Sequence, residues 1–523
     1  MDSNHEETRV TNKSRLQYTI LNMGVGGITT VLKMILSFVV RTVFIYVLGV
    51  KILGLNGLLI SILTALSLAE LGIGSAIVYS LYRPVAQHEW PIVKAIMHLY
   101  RKIYRALAII VLALGLILLP FLPRIAGNHA VDNYELYYLM FLLNSSLSYL
   151  LTYNRSLMIA HQRNYVVSLV DFSAYFLTAV LQIVMLYIFH SYAIYLIVQI
   201  IFTLVGNICL TVFVHKDYGK NLLNAEKITI PKDIVDKLRK NVIGTFANKV
   251  GDVVVNGTDN ILIATFISLS AVGIYSNYQL IILAVQSLLL SISSAMTSSI
   301  GNFAALNHGS KGLKLFNSHQ FMNYTLTFFS SAFLFALLPT FIELWIGDKF
   351  LLPLGTTLIL VINFVINRQR NSGNVFIDAY GLAYEQKLKP VLEAVFNLGL
   401  SIIFLMVFHL GIFGILLATT LTSLFIATTY EAHVVFKHGL LTPISIFYKR
   451  YLQFVFEIIL NLTIVGLTIT LLFKKVHPAT IFEIISIFFL TGGISVIVYL
   501  LFNFRKEEFI SFKSMISQKF NRG

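Results

Sequence analysis

The stretch YTILNMGVGGITTVLKMILSFVVRTVFIYVLG, Tyr18–Gly49, decides the class of this protein. It holds two charges, Lys33 and Arg41, in an otherwise largely apolar run. Such a run is long enough to cross the ~30 Å hydrocarbon core of a bilayer as a helix. Working outward, apolar stretches of about 20 to 30 residues recur as far as Phe504, separated by short basic connections, which is the pattern of a chain that crosses a membrane repeatedly. Composition agrees: 57% of the 523 residues are hydrophobic and 12% are charged, and the mean hydropathy is +0.79, well above a water-soluble domain.

The chain reads as an all-α polytopic membrane protein with about 14 transmembrane helices. Spans are expected near Tyr18–Gly49, Gly54–Tyr82, Tyr104–Leu122, Glu135–Thr152, Tyr165–Ile188, Tyr192–Val214 and Val242–Ile267. Seven more follow near Gly273–Phe303, Met322–Ile346, Leu354–Tyr380, Val391–His409, Ile412–Val435, Phe454–Phe473 and Ile481–Phe504. Residues 1–17 are polar, and no small-residue cleavage site follows the first apolar stretch, so a removable signal peptide is not expected. Cys209 stands alone in an apolar span and leaves no disulfide or zinc framework.

Lys and Arg in short loops stay on the cytoplasmic side. With an internal amino terminus, the outer loops hold about 5 basic residues (Lys51, Arg124, Lys349, Lys474 and Lys475), the spans about 5, and the inside loops roughly 29 of the 39. Both termini are therefore expected in the cytoplasm. The formal charge of +15 is accounted for by topology and by attraction to anionic membrane lipid, and no segment reads nucleic acid.

Laying Gly54 of LGVKILGLNGLL on Gly273 of FISLSAVGIYSNYQLI gives an offset of about 219 residues, which superposes the first and seventh spans. Because six spans separate the two copies, both halves enter the membrane in the same sense, an arrangement common in transporters. The expected organisation is a cytoplasmic segment 1–17, an N-lobe 18–214, a basic linker 215–241, a C-lobe 242–437, an additional hairpin 438–504 and a cytoplasmic tail 505–523.

Charges inside the spans are the best pointers to function, because each costs about 2.5–3.5 kcal/mol at mid-membrane on insertion scales. Asn22, Thr29, Lys33, Ser37 and Arg41 recur at steps of seven, four, four and four, on one helical face. Lys249, Asp252, Asn256 and Asp259 form a second stripe in the seventh span. Under the 219-residue offset Lys33 falls on Asp252, so the stripes are candidates to face one another with opposite sign. Each stripe is either a polar cavity wall or a set of structural ion pairs. Asp252 and Asp259 are also candidates for coupling to a cation or proton. Glu70, in SLAELGIGSAI, is a candidate charge partner of Arg41 or Lys33, and Asp171 and Glu393 read as interface positions. The tenth span carries Asn367, Arg368, Gln369, Arg370, Asn371 and Asn374 in a row. Three alternatives stand: an interrupted helix, a helix buried in protein beside a cavity, or a shorter cytoplasmic end. Guanidinium groups there suit phosphate, which they bind bidentately.

The strings RTVFIYVLGVKILGLNGLL, LSLAELGIGSAIVYSLYRPVA, VNGTDNILIATFISLSAVGIYSNYQLI and FIDAYGLAYEQKLKPVLEAVFNLGLS, in this order, resemble oligosaccharide flippases, the polysaccharide-export (Wzx-type) branch of the multidrug/oligosaccharidyl-lipid/polysaccharide exporter superfamily. The resemblance covers nearly the whole chain. It implies a bacterial inner-membrane protein with two MATE-like six-helix lobes that carries polyprenyl-diphosphate-linked sugar units to the outer leaflet by alternating access. Lys33, Arg41, Lys249, Arg368 and Arg370 are the corresponding candidates for a cationic substrate cavity. The fourteen-span organisation also resembles lipid II flippases, although their arginine-aspartate signature is missing from the first span. No cofactor is implied, and coupling would be to Na+, H+ or the membrane potential. Polysaccharide assembly enzymes are the implied neighbours, beside the lipid-linked oligosaccharide itself. A drug/cation antiporter of the same fold is the alternative that Asp252 and Asp259 motivate. An enzyme such as a polymerase or ligase is disfavoured by short outer loops and scattered His residues.

Overall fold

The helix that begins at Arg15 continues to Leu66, and 52 residues of straight helix would span about 78 Å at 1.5 Å per residue, more than twice the bilayer core. Gly49 divides it, with φ 81° and ψ 171°, a conformation only glycine adopts readily. The computed structural model describes residues 15–67, 73–126, 131–224, 226, 228, 257–304, 310–382, 384–473 and 480–510.

Among the described residues the architecture is all-helical. After α1 (Arg15–Leu66) come α2 (Ile73–Ala86), α3 (Trp90–Leu118), α4 (Tyr134–Ala160), α5 (Asn164–Phe189) and α6 (Tyr192–Asn224). Then follow α7 (257–266), α8 (Leu269–Ala304), α9 (Ser310–Ile346), α10 (Leu354–Tyr380) and α11 (Lys389–Met406). The last three are α12 (Gly411–Gly439), α13 (Ser445–Leu472) and α14 (Ile481–Asn503). Ten stretches among the described residues are long and apolar enough to cross a membrane, and most helices overlap the expected spans, but the second expected span, Gly54–Tyr82, is divided between the end of α1 and α2. Val242 to Asn256 of the seventh expected span lie outside the described residues. Exposed Phe176, Val180 and Tyr187 on α5 and Phe482, Phe489 and Leu501 on α14 would be a liability in water. On helices of these lengths they are lipid-facing surface, and the protein is a multi-pass membrane protein.

The chain forms two compact units, Met1–Gly273 and Ile274–Gly523. In the first, α1 and α5 run side by side in a register set by one amide. Asn22 Nδ2 donates to Gln162 O at 2.8 Å and Asn22 Oδ1 accepts from Tyr165 N at 2.7 Å. Tyr138 OH donates to Gly115 O at 2.8 Å. A Cβ on Gly115 would lie 2.3 Å from a Leu142 methyl, so α3 and α4 pack closely.

The repeat proposed from sequence has a counterpart in this unit. A Cβ on Gly54 would stand 1.7 Å from Leu269 O, and a Cβ on Gly273 would stand 2.4 Å from Val50 O. Val50 and Leu269 are themselves separated by 219 residues, so the two glycines make reciprocal close contacts between α1 and α8. Neither position has room for any side chain.

In the second unit, Phe316, Phe376, Phe436, Phe447 and Tyr451 form an aromatic core, with Phe316 edge-on to Phe376 at 5.0 Å and to Phe436 at 5.2 Å, a favoured geometry. The α13–α14 hairpin docks on α9 through a wholly buried carboxylate. Glu457 accepts from Tyr324 OH, from Asn503 Nδ2 at 3.2 Å, from Gln453 Nε2 at 2.9 Å and from Lys506 Nζ at 3.0 Å. These donors replace the water that the charge loses on burial.

Candidate functional site

Three helices of the first unit each carry a polar stripe through an apolar span. On α4 it is Ser148, Thr152 and Arg155, on α5 Asp171, Tyr175, Thr178 and Gln182, and on α6 Tyr195, Gln199, Thr203 and Asn207. Steps of three and four residues put each set on one helical face. The three faces, with Lys33 and Asn56 of α1, enclose a cavity of about 720 Å³, within the ~300–1,000 Å³ of small-molecule sites.

Charge in the cavity wall is concentrated at one end. Arg155 Nη1 meets Asp171 Oδ2 at 2.6 Å, and Arg155 Nη2 donates to Asn207 Oδ1 at 3.3 Å. Asn207 Nδ2 in turn donates to Ser148 O at 3.3 Å. The side chains of Arg155 and Asp171 remain 29% and 26% exposed. Lys33 lines the same cavity and has no ion pair or hydrogen bond among the described residues. The register of α1 against α5 puts it at the level of Ala174 and Tyr175. Toward the other end the wall is uncharged, with Asn56, Gln182, Tyr195 and Gln199. Tyr192 OH donates to Asn56 Oδ1 at 3.0 Å, and Gln182 Nε2 donates to Tyr195 O at 3.1 Å. Two cations face one carboxylate, so the wall has a net positive charge and many neutral donors and acceptors. Among the described residues, no group of three or more His, Cys, Asp or Glu is placed to hold a metal ion.

The residues singled out in the sequence divide among several places. Lys33 is in the cavity wall. Arg41, half-buried, lies in the electrostatic field of Tyr175 and Tyr195, both of which line the cavity. Asp259 is buried in the first unit, where its neighbour Asn260 donates to Ser61 Oγ at 2.9 Å. Glu70, Lys249 and Asp252 lie outside the described residues.

Arg368 and Arg370 belong to the second unit. Helix α10 runs through them without a break from Leu354 to Tyr380, so the interrupted helix among the alternatives for this stretch is not what forms. The two guanidiniums point into different networks, as the ~200° between i and i+2 on a helix requires. Arg368, only 1% exposed, donates from Nη2 to Ser293 Oγ and Asn323 Oδ1, both at 3.2 Å. Arg370 grips Glu431 through Nη2 at 2.7 Å and Nε at 3.1 Å, and reaches Glu393 Oε1 at 3.2 Å. Lys389 Nζ donates to Glu431 Oε1 at 2.8 Å. Two cations and two carboxylates neutralise one another there, Glu431 between two π-helical stretches of α12, Ser423–Thr428 and Val435–Gly439.

Sequence reasoning did not single out Arg155, Tyr175, Gln182, Tyr195 or Asn207, and it treated Asp171 as an interface residue. The periodicity that marked Lys33 and Arg41 on α1 is present on α4, α5 and α6 too. It was obscured because most members are uncharged.

Comparison with known proteins adds the following. Residues 21–297, just over half of the chain, match the family described as Polysaccharide biosynthesis protein. No curated protein matches the sequence. Among solved structures, the chain is similar to the lipid II flippase MurJ in an inward closed conformation. The TM-score is 0.64 at 17% identity, over 94% of this chain and 99% of that one. It is also similar to a multidrug resistance MATE family transporter of the MOP superfamily in an inward-facing conformation. There the TM-score is 0.59 at 13% identity, over 82% of this chain and 99% of the other. At these identities the likeness is one of fold.

Proposed function

The chain belongs to the polysaccharide biosynthesis protein family, and we propose that it flips polyprenyl-diphosphate-linked oligosaccharide units across the bacterial cytoplasmic membrane by alternating access. The polymer served is a capsule, an exopolysaccharide or another cell-surface polysaccharide. A membrane flippase or transporter role is supported by its family and its fold.

The substrate reading rests on one observation, the composition of the first-unit cavity wall. Lys33 supplies a cation for the diphosphate. Hydroxyl, amide and tyrosyl groups supply hydrogen bonds and ring faces for sugar. The polyprenyl chain stays in the hydrocarbon, because moving it into a polar cavity would cost about 0.8 kcal/mol per CH₂. Cation antiport is less well supported, since the one carboxylate in the described cavity wall, Asp171, is already paired with Arg155. Lipid II remains the alternative within the same chemistry, because it too presents a diphosphate and sugars.

The test is the sidedness of a labelled polyprenyl-diphosphate oligosaccharide in proteoliposomes, reported by an impermeant glycosidase. Transfer that requires the protein and falls in Lys33→Gln and Arg41→Ala, with both variants still inserted and folded, is the expected result. Proton-coupled exchange of small organic cations, with no movement of lipid-linked sugar, would replace this reading by the antiporter one.

A further inference from the structure

The structure assigns the Arg155–Asp171 pair to reading the sugar of the head group, and the ligand chemistry it fits is a neutral hexopyranose with adjacent free hydroxyls. This rests on the flippase reading of the same cavity.

The pair is held but not saturated. Asp171 is bound by Arg155 through Oδ2, while its Oδ1 makes no hydrogen bond among the described residues. Arg155 uses one N–H toward Asp171 and one toward Asn207, out of five in a rigid fork. The wall therefore presents a carboxylate acceptor and guanidinium donors side by side. Their charges cancel, so the pair does not by itself attract an ion. An incoming phosphate would meet Asp171 as a like charge, which disfavours it there. A group that donates and accepts from neighbouring atoms without net charge satisfies both partners, and a vicinal diol is such a group.

The surroundings fit a sugar ring. Tyr175 follows Asp171 by one helical turn on the same wall and offers a ring face to C–H groups and a hydroxyl to polar ones. Beside it Ala174 and Gly206 line the wall, and a Cβ on Gly206 would stand 3.1 Å from Ala174 Cβ, so α5 and α6 approach closely at this point. Lys33 stands within about one turn of Asp171 along α1, by the register that Asn22 sets. A cation for phosphate thus adjoins a neutral pair for sugar, in the order in which a diphosphate and its first sugar are joined.

Two soluble probes test this in purified protein held in lipid nanodiscs: butyl diphosphate, and butyl diphosphate carrying glucose, with binding measured by calorimetry. In Asp171→Asn the glucosyl probe is expected to bind about 10- to 100-fold more weakly, the range for one charge-assisted hydrogen bond. The sugar-free probe should bind as well as before or more tightly, because a negative charge has been removed beside Arg155. Arg155→Lys, which keeps the charge and loses the fork, should also weaken the glucosyl probe, with the sugar-free probe within about twofold. Loss of both probes together in Asp171→Asn marks a merely structural ion pair and overturns the assignment. So does wild-type protein that does not distinguish the two probes. Sugar-dependent binding without transfer in proteoliposomes defeats the flippase reading and leaves the sugar subsite standing; transfer without dependence on Asp171 does the reverse.

Discussion

Both units hold Arg–carboxylate pairs between helices, yet the pairs sit in opposite circumstances. In the first unit Arg155 and Asp171 are each more than a quarter exposed on a cavity wall and share one short contact. In the second, Lys389, Glu393 and Glu431 are buried and the Arg370 side chain is 11% exposed, with Glu431 at 2% exposure receiving two contacts from Arg370 and one from Lys389. A charged group binds a ligand only if it has unused hydrogen-bonding capacity and space beside it. The first pair has both, whereas the second cluster has used its capacity on itself. An intramembrane charge is therefore a pointer to function only after its partners are known.

The contrast predicts unequal responses to deletion. Glu431→Ala leaves Arg370 and Lys389 with Glu393 as their one shared carboxylate among the described residues, and removing one partner of a buried pair in this way costs about 3–5 kcal/mol. The expected outcome is a steep loss of folded, extractable protein, read by thermal unfolding in detergent. A Tm within a few degrees of wild type would mean that the cluster is not what joins α10, α11 and α12.

Lys33→Gln should leave the fold intact and lower transfer of lipid-linked oligosaccharide by about tenfold or more, equivalent to roughly 1.4 kcal/mol. Unchanged transfer would remove Lys33 from the substrate path and weaken the distinction between a binding cavity and a structural cluster.

Acid should loosen the first unit. His161, in the connection between α4 and α5, is packed against Trp90 and Tyr218, and burial pushes its imidazole down to about 4. The unfolded chain takes up the proton first, near pH 6.5, so the stability associated with neutral His161 is present above pH 6.5. It is lost as the pH falls toward 4. Hydrogen exchange at pH 7 and pH 5 should show weakened protection of α4 and α5 at the lower pH, and His161→Gln should remove much of that difference. Equal protection at both values would show that the corner does not titrate.

Asp171→Asn is expected to change stability least, by no more than about 1 kcal/mol, because solvent reaches the pair. A loss as large as that of Glu431→Ala would place both pairs in the same structural category and erase the contrast.

Much of the fold was legible in the sequence. Apolar length and the spacing of basic loops are local properties, and they marked out most of the long helices, though not the break after Leu66 that divides the second expected span. The 219-residue offset was legible because two glycines, Gly54 and Gly273, cannot carry a side chain where they meet. The candidate site was less so. Lys33 and Arg41 stood out because a cation in an apolar run is costly. Gln182, Tyr195 and Asn207 did not, because neutral polar residues are tolerated in spans for many reasons. Arg368 and Arg370 were conspicuous for their charge, yet Arg368 bonds Ser293 and Asn323, and Arg370 bonds Glu393 and Glu431, all in the second unit.

The sequence by itself determined that this is a polytopic membrane protein and marked most of the apolar stretches that fold as its long helices. The penalty for polar groups in hydrocarbon acts on each span separately and leaves its mark in composition. Only the tertiary structure decided that Arg155 pairs with Asp171 beside a cavity while Arg370 is consumed by Glu393 and Glu431. Both outcomes depend on which helices become neighbours, since Arg155, Asp171 and Asn207 come from three different spans. Whether a charge binds a ligand or stabilises a fold is set by the space and the partners around it.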